Sequence, residues 1–355
     1  MNSFTVGQAL PDELDVFSLS PQAVPELHFE STFPVRNTMS RLLLLLSCLI
    51  ALLALTACLQ QSPAQEITIG FWNVQNLLDE FDDPLLPYDE KFSPSSVQER
   101  LGKDAEVIRS LNADIIGLAE VENASILKRL VSGYLSKNGY DYYALLEGDD
   151  PRGIDCAIIS RFPFLARSVD IPDLPRDLLV ARFASNGTPF YVVVCHWKSR
   201  RDGNNEDVRF SCAKASATCV KEIITSYEGR TVPVVLVGDF NDTPQNQSLK
   251  YLEQQGLTNT MLSIPEDARW TIGYFNRDEN NMDLDCFDQI LINASARQGD
   301  ILRWKSTKVH RPNFMINDRR AFNGVKIPLP IDDYNERIGY SDHFPVVATF
   351  ELVQP

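Results

Sequence analysis

Short apolar bursts along the chain alternate with longer stretches in which apolar residues recur at helical spacing. The bursts Ile67–Phe71, Asp114–Leu118, Cys156–Ser160, Phe190–Cys195, Pro233–Val237, Phe287–Ile292 and Pro345–Leu352 predict strands. Between the first two, Val97, Leu101, Ile108 and Leu111 share a helical face, and Ser96 with Glu99 reads as the capping box that opens it. A longer helix is predicted from Asp207 to Tyr227, and another from near Gln247. Nearly continuous apolar strands belong to sheets covered on both faces. The pattern therefore predicts an α/β domain of sheets packed on one another and covered by helices.

Polar residues fall at particular places in that pattern. Asn73 shares parity with Ile67, Ile69 and Phe71, and Glu120 with Ile116 and Leu118. His196 follows Val192 and Val194 in the same way, and Asp239 follows Val235 and Val237. Four strands thus end in a polar residue on the apolar-side parity. One such residue is an ordinary strand-end turn. Four of them predict a shared site at one rim of the sheets, because buried polar groups without partners are costly.

The N-terminal segment reads differently. Leu42 to Leu55 is an apolar run of fourteen residues behind Met39-Ser40-Arg41. It is shorter than the roughly 20 residues of a membrane span and fits a signal-peptide apolar region of about 7–15. It ends in Leu55-Thr56-Ala57-Cys58, which resembles a bacterial lipobox, with Cys58 as the lipidated residue. Leu59 in place of Asp suggests sorting to the outer membrane, facing the periplasm or the cell surface. Residues 1–38 carry five acids and one base where a positive region belongs, so Met39 is expected as the true start. The expected organisation is an upstream extension (1–38), a lipoprotein signal (39–58), a linker (59–65) and one domain (66–355). A net charge of -15 and a pI near 4.7 disfavour a protein that coats nucleic acid through a broad basic surface. They leave room for carboxylates gathered around a metal.

Seven cysteines include Cys48 and Cys58 of the export segment, leaving Cys156, Cys195, Cys212, Cys219 and Cys286. An odd number with no C-x-x-C pair indicates neither a zinc ribbon nor a full disulfide framework, although one bridge is allowed. No H-x-x-x-H or Cys/His ligand spacing points to a zinc hydrolase.

Four segments together carry a resemblance: Phe71-Trp72-Asn73-Val74, Leu118-Ala119-Glu120-Val121, Val237-Gly238-Asp239-Phe240-Asn241-Asp242 and Ser341-Asp342-His343-Phe344-Pro345-Val346. In this order they resemble the endonuclease/exonuclease/phosphatase superfamily from Ile67 to about Leu352. Pro151-Arg152-Gly153-Ile154-Asp155 and Cys195-His196-Trp197-Lys198-Ser199-Arg200 are closer to its bacterial extracellular nuclease-like members. The resemblance implies a four-layer α/β sandwich, two mixed β-sheets packed face to face and flanked by helices. It departs at Ala119, where many members carry glutamine, which implies altered packing around the glutamate.

The chemistry implied is metal-dependent hydrolysis of a phosphoester. Glu120, a hard carboxylate at a strand end, is the leading ligand for Mg²⁺ (or Mn²⁺ or Ca²⁺), with Asn73 and Asp342 completing the metal environment. Asp239 would orient or deprotonate water, and Asn241 would donate to the phosphate. His343 would donate to a phosphate oxygen with Asp288 as its carboxylate partner, and His196 would supply a second imidazole. Nucleic acid is the leading substrate, implying an endonuclease. A phosphoesterase for a lipid or small phosphate ester and a non-catalytic surface lipoprotein are the alternatives, the last disfavoured because Asn73, Glu120, Asp239, Asn241 and His343 are all present. From Ile301 to Lys326, expected as one loop, there are seven bases against one acid, Asp318. Arg319 and Arg320 there, with Arg200 and Arg201 behind His196, are the candidate substrate cations, and Arg209 lies near enough to join them. The expected partners are this substrate and a membrane reached through the lipid anchor. Nothing in the sequence calls for an obligate protein partner.

Overall fold

The computed structural model describes residues 65–353, apart from 88–89, 172–173, 175, 186, 201–202, 204, 228–231, 277–279, 317–325 and 332–338. In chain order the strands are β1 (Gln65–Leu77), β2 (Ile115–Val121), β3 (Tyr142–Leu145), β4 (Asp155–Ser160), β5 (Leu165–Val169), β6 (Leu178–Ser185) and β7 (Thr188–His196). They continue as β8 (Val234–Asp239), β9 (Thr258–Asn259), β10 (Ile272–Asn276), β11 (Asn281–Asp285), β12 (Asp288–Ile292), β13 (Leu302–Val309) and β14 (Val346–Leu352). The α-helices are α1 (Pro94–Leu111), α2 (Ala124–Leu130), α3 (Glu206–Thr225), α4 (Gln247–Gln254) and α5 (Ala294–Gln298).

Two six-stranded mixed sheets result, in the orders β13-β14-β1-β2-β4-β3 and β5-β6-β7-β8-β12-β9, with β10-β11 as a separate hairpin. The parallel pairs β1/β2 and β7/β8 lie near the middle of their sheets, flanked by antiparallel neighbours. Alternation along each strand sorts the side chains. Ile67, Ile69 and Phe71 meet Val192, Val194, Val235 and Val237 in the core between the sheets. Trp72 and Val74 face the other way, onto Val97, Leu101 and Ile108 of α1. Val193 and Cys195 pack on Cys212 of α3 and Leu249 of α4. These are the four layers the resemblance implied, and each fully buried aliphatic or aromatic side chain adds about 1.5–3 kcal/mol. Gly117 lets the sheets close on each other, since a Cβ there would sit 3.0 Å from methyls of both Val194 and Val237.

Two sequence expectations change. The N-cap of α1 is Ser93, whose hydroxyl accepts from the Ser96 N–H, with Pro94 opening the helix. Ser96 is already inside the first turn, so the Ser96/Glu99 capping box does not form. The segment from Ile301 is not one loop, because β13 forms an edge strand there. Arg303 and Lys305 of β13 pair with Glu351 of β14, opposite the start of β1. Of the strands that the sequence reading does not name, β3, β5, β9, β10, β11 and β13 are short or polar, whereas β6 is an eight-residue apolar strand with Leu178, Leu179, Val180, Ala181 and Phe183 buried. All five cysteines of the domain are buried and free, so no bridge forms among them. Burial raises their thiols, Cys212 and Cys219 each to about 11. Among the described residues no helix is long and apolar enough to cross a membrane. Cys58 and the whole export segment lie outside the described residues.

Candidate active site

The two parallel strand pairs end at the same rim, and the polar residues that close them meet there. Asn73 Nδ2 donates to Glu120 Oε1 (3.2 Å) and to Asp239 Oδ2 (3.0 Å), linking the two sheets. His196 Nε2 lies 3.7 Å from each of the same two oxygens. Asp288, on the strand beside β8 and in register with Asp239, accepts from His343 Nδ1 at 2.6 Å. His343 Nε2 then points at Asp239 Oδ2 (3.9 Å) and Asp342 Oδ1 (3.8 Å). Asn73, Glu120, His196, Asp239, Asn241, Asp288, Asp342 and His343 therefore converge, as the sequence leads one to expect.

Glu120 arrives there for a different reason from the one its parity suggests. Ile116 and Leu118 face the helices, not the other sheet, so an unbroken strand would turn Glu120 outward. Its backbone instead takes a left-handed conformation (φ 64°), and the ladder with β4 shifts between Leu118 and Val121. The turn swings the carboxylate back to the rim, a strained geometry of the kind found at functional sites. β1 kinks beside it, with Gln75 and Asn76 also left-handed, and the Asn76 N–H donates to Glu120 Oε2 (3.0 Å). Arg100 of α1, fully buried and paired with Asp104, holds the carbonyls of Val74 and Gln75 through this kink.

Several positioning residues carry no sequence signal beyond membership of a motif. The Ser341 hydroxyl donates to the Asn73 carbonyl (2.7 Å) and accepts from the His343 N–H, fixing the histidine turn to β1. Thr271 Oγ1 accepts from the N–H groups of Phe287 and Asp288, while its carbonyl accepts from Phe344. Buried Arg176 pairs with Asp150 and donates to the carbonyls of His196 and Trp197. Arg152, about two-fifths exposed and 3.5 Å from Asp150, is a cation close enough to His196 to depress its protonation.

The electrostatics divide the two imidazoles. Burial lowers His196 well below the usual histidine range, and the nearby charges of Arg176, Arg152 and His343 lower it further, so it is neutral. Burial acts in the same direction on His343, but Asp288, Asp342 and Asp239 outweigh it and hold it protonated, well above that range. Burial raises Asp239 to about 7, against the pull of His343. Groups whose environments push their protonation apart are the expected partners in acid and base work.

The donor set fits a divalent cation. Asp239, Asp288 and His343 present ligand atoms within 4.8 Å of one another. Asp288 Oδ1 is buried without a hydrogen-bond partner, and Glu120 and Asp342 add further carboxylate oxygens at the same rim. So many hard oxygens around one imidazolium suit an oxygen-seeking ion such as Mg²⁺ or Mn²⁺. His343 Nδ1 is already engaged by Asp288, which makes that pair better suited to orienting an imidazole than to binding the ion. Asn73 turns its amide nitrogen to the carboxylates, while its oxygen accepts from the Gln75 N–H (2.9 Å).

Of the candidate substrate cations, Arg200 and Arg209 are among the described residues, and both are engaged within the protein. Arg200 is committed to the Asn241 carbonyl, Asp242 and Asn246. Arg209 is buried against Asp242. Arg201, Arg319 and Arg320 lie outside the described residues.

The family described as "Endonuclease/Exonuclease/phosphatase family" matches residues 68–352. No curated protein matches the sequence. Among solved structures, an endonuclease/exonuclease/phosphatase family protein from Bacteroides thetaiotaomicron is similar at 19% identity. The match covers 82% of this chain and 100% of that one, with a TM-score of 0.56. TDP2 from D. rerio, complexed with single-strand DNA product, is similar at 18% identity over 81% of this chain and 99% of that one (TM-score 0.54). The human Nocturnin catalytic domain is similar at 16% identity over 81% and 95% (TM-score 0.53). At these identities the likeness is one of fold.

Proposed function

Because the chain belongs to the endonuclease/exonuclease/phosphatase family, we propose that it is a divalent-metal-dependent phosphodiesterase whose substrate is nucleic acid. The observation that carries this reading is the placement of Asp239 Oδ2 between two imidazoles, 3.7 Å from His196 Nε2 and 3.9 Å from His343 Nε2. Asp239 is placed to hold and deprotonate the attacking water. Asn241 uses one amide proton on the Trp197 carbonyl (3.1 Å) and keeps the other for a phosphate oxygen. His343, its Nδ1 fixed by Asp288, directs Nε2–H at a second phosphate oxygen, and neutral His196 can donate to a third or to the leaving oxygen. Glu120 and Asp342 are the residues that would hold the ion. When bound, that ion offsets charge on the phosphate and the leaving oxygen. Its identity as Mg²⁺, the endonucleolytic mode and the nucleic-acid substrate belong to this proposal.

The test is hydrolysis of plasmid DNA, RNA, sphingomyelin and a generic phosphodiester, each with Mg²⁺ and with EDTA. Cleavage of nucleic acid only with the metal supports the reading, and its absence alongside turnover of a small ester replaces it. One observation favours that second reading. Arg200, Arg303, Lys305 and Arg311 are all engaged within the protein, Arg311 stacked 4.3 Å from the Trp270 ring centre. Neutralising Arg319 and Arg320 together should weaken DNA binding and reduce its salt slope by about one unit for each phosphate no longer neutralised. Neutralising Arg303 and Lys305, at the far end of β13 from the site, should leave the slope unchanged. An unchanged slope in the first variant would turn the assignment toward a small phosphoester.

We further propose export with a lipid on Cys58, on the strength of the Leu42–Leu55 run and the Leu55-Thr56-Ala57-Cys58 sequence. Labelled palmitate should enter the wild type and not the Cys58→Ser variant. Diacylglycerol plus an amide-linked chain exceeds the two-signal threshold for stable anchoring. Freely soluble protein that retains residues 39–58 would contradict this.

A further inference from the structure

The loop after β8 carries a charged arrangement that the proposed reaction does not use directly. Asp242 is 2% exposed and its Oδ1 accepts from two guanidiniums, Arg209 Nε at 2.7 Å and Arg200 Nη2 at 2.8 Å. Its Oδ2 accepts from the Ser248 hydroxyl at 2.6 Å, and its carbonyl accepts from Gln289 Nε2 at 2.7 Å. The same Arg200 donates through Nε to the carbonyl of Asn241 at 2.7 Å, and its guanidinium lies 4.9 Å from the ring centre of Phe287, the residue before Asp288. Asn241 is left-handed (φ 49°), a conformation that is unfavourable for L-residues and least so for Asn. In that conformation its N–H donates to Asp239 Oδ1 (2.9 Å), leaving Oδ2 to face the two imidazoles.

Resting on the reaction proposed above, we infer that Asp242, gripped by Arg200 and Arg209, positions Asn241 and through it the Asp239 carboxylate, and that Arg200 acts through this loop rather than by holding substrate. The Asn241 backbone is held on both sides, its N–H on Asp239 and its carbonyl on Arg200. Releasing the carbonyl lets the peptide relax toward the commoner right-handed conformation, which withdraws the N–H and frees the Asp239 carboxylate to rotate. A lysine cannot replace Arg200, because only the planar fork reaches a carbonyl and a carboxylate at once. Asp242 and Arg209 are buried together, so neither is available to an incoming phosphate.

Three variants test this: Arg200→Ala, Arg200→Lys and Asp242→Asn. Each should lower kcat by about 10²-fold with KM and the salt slope of binding unchanged, the cost expected of a misplacement near 1 Å. The double variant Arg200→Ala/Asp242→Asn should be no worse than the singles, because the two residues act on one element. A raised KM and a salt slope reduced by about one unit in Arg200→Ala, with Asp242→Asn at wild-type rates, would make Arg200 a substrate contact and overturn the inference. Should Asp242→Asn fail to fold, the Arg200 pair, whose side chain is about one-third exposed, carries the same comparison. The geometry is also read without turnover. In the free protein the Asn241 amide proton should exchange faster and shift in all three variants, and an unmoved, equally protected signal would overturn the inference. Loss of substrate hydrolysis in the wild type itself would count against the reaction, while this amide measurement would still decide the role of the loop.

Discussion

Replacing Glu120 by glutamine is expected to remove divalent-metal-dependent turnover, by about 10²–10³-fold, and to leave the fold intact. The change conserves shape but takes one negative charge from a rim that also holds Asp239, Asp288 and Asp342. The amide oxygen can still accept from Asn76 or Asn73, so the kinked end of β1 keeps its support. The new side chain offers an ion a neutral oxygen in place of an anionic one. Titration calorimetry should show weakened Mg²⁺ binding, and the melting temperature without metal should hold or rise as repulsion among the carboxylates falls. Wild-type turnover in this variant, or in wild-type protein in EDTA, would place the reaction at another site.

Strand periodicity alone makes much of this site legible in the amino-acid order. Asn73, His196 and Asp239 all continue an inward-facing register, and each inward register carries its polar residue into the site. For Glu120 the same rule names the right residue through the wrong face, because a left-handed residue at a strand irregularity reverses the parity and neither feature has a reliable sequence signature. Asp288 and Asp342 are reached through the resemblance alone. Ser341, Thr271, Arg176 and Arg152 escape a sequence reading because their work is done on backbone carbonyls and N–H groups, or on charges, far away along the chain. The separations are 268 residues for Ser341 to Asn73 and 20 for Arg176 to His196. Charge counting takes Leu302–Val309 for part of a basic loop. A polar edge strand and a basic loop have the same composition, and only the pairing of β13 with β14 tells them apart. The layers match the apolar pattern because each central strand buries one face on the opposite sheet and the other on a helix, a condition that composition and period express directly.

Asp288→Asn should be as damaging as the loss of Glu120, and it has a second readout in stability. Asp288 is fully buried, and its 2.6 Å bond to His343 Nδ1 keeps that ring oriented and charged. An asparagine keeps the volume but removes the anion, so the imidazole loses its largest source of charge stabilisation and a rate loss of about 10²-fold or more is expected. In metal-free protein, His343 is raised well above its usual value of 6.5, burial being outweighed by Asp288, Asp342 and Asp239. A histidine raised in the folded state contributes stability that is complete below about 6.5 and is lost as pH climbs through the folded value. Asp239, raised by burial from 3.8 to about 7, acts with the same sign: its folded form retains a proton the unfolded chain releases, so stability declines between about 4 and 7. His196, lowered by burial, acts with the opposite sign below 6.5, so the test is read above that value, where urea unfolding in EDTA should show wild-type stability falling as pH rises. In Asp288→Asn the part of that fall above 6.5 should shrink, because His343 is no longer held protonated. A variant with the wild-type slope above 6.5 would mean that Asp288 does not set the charge of His343, and its effect on rate would then have to come from packing alone.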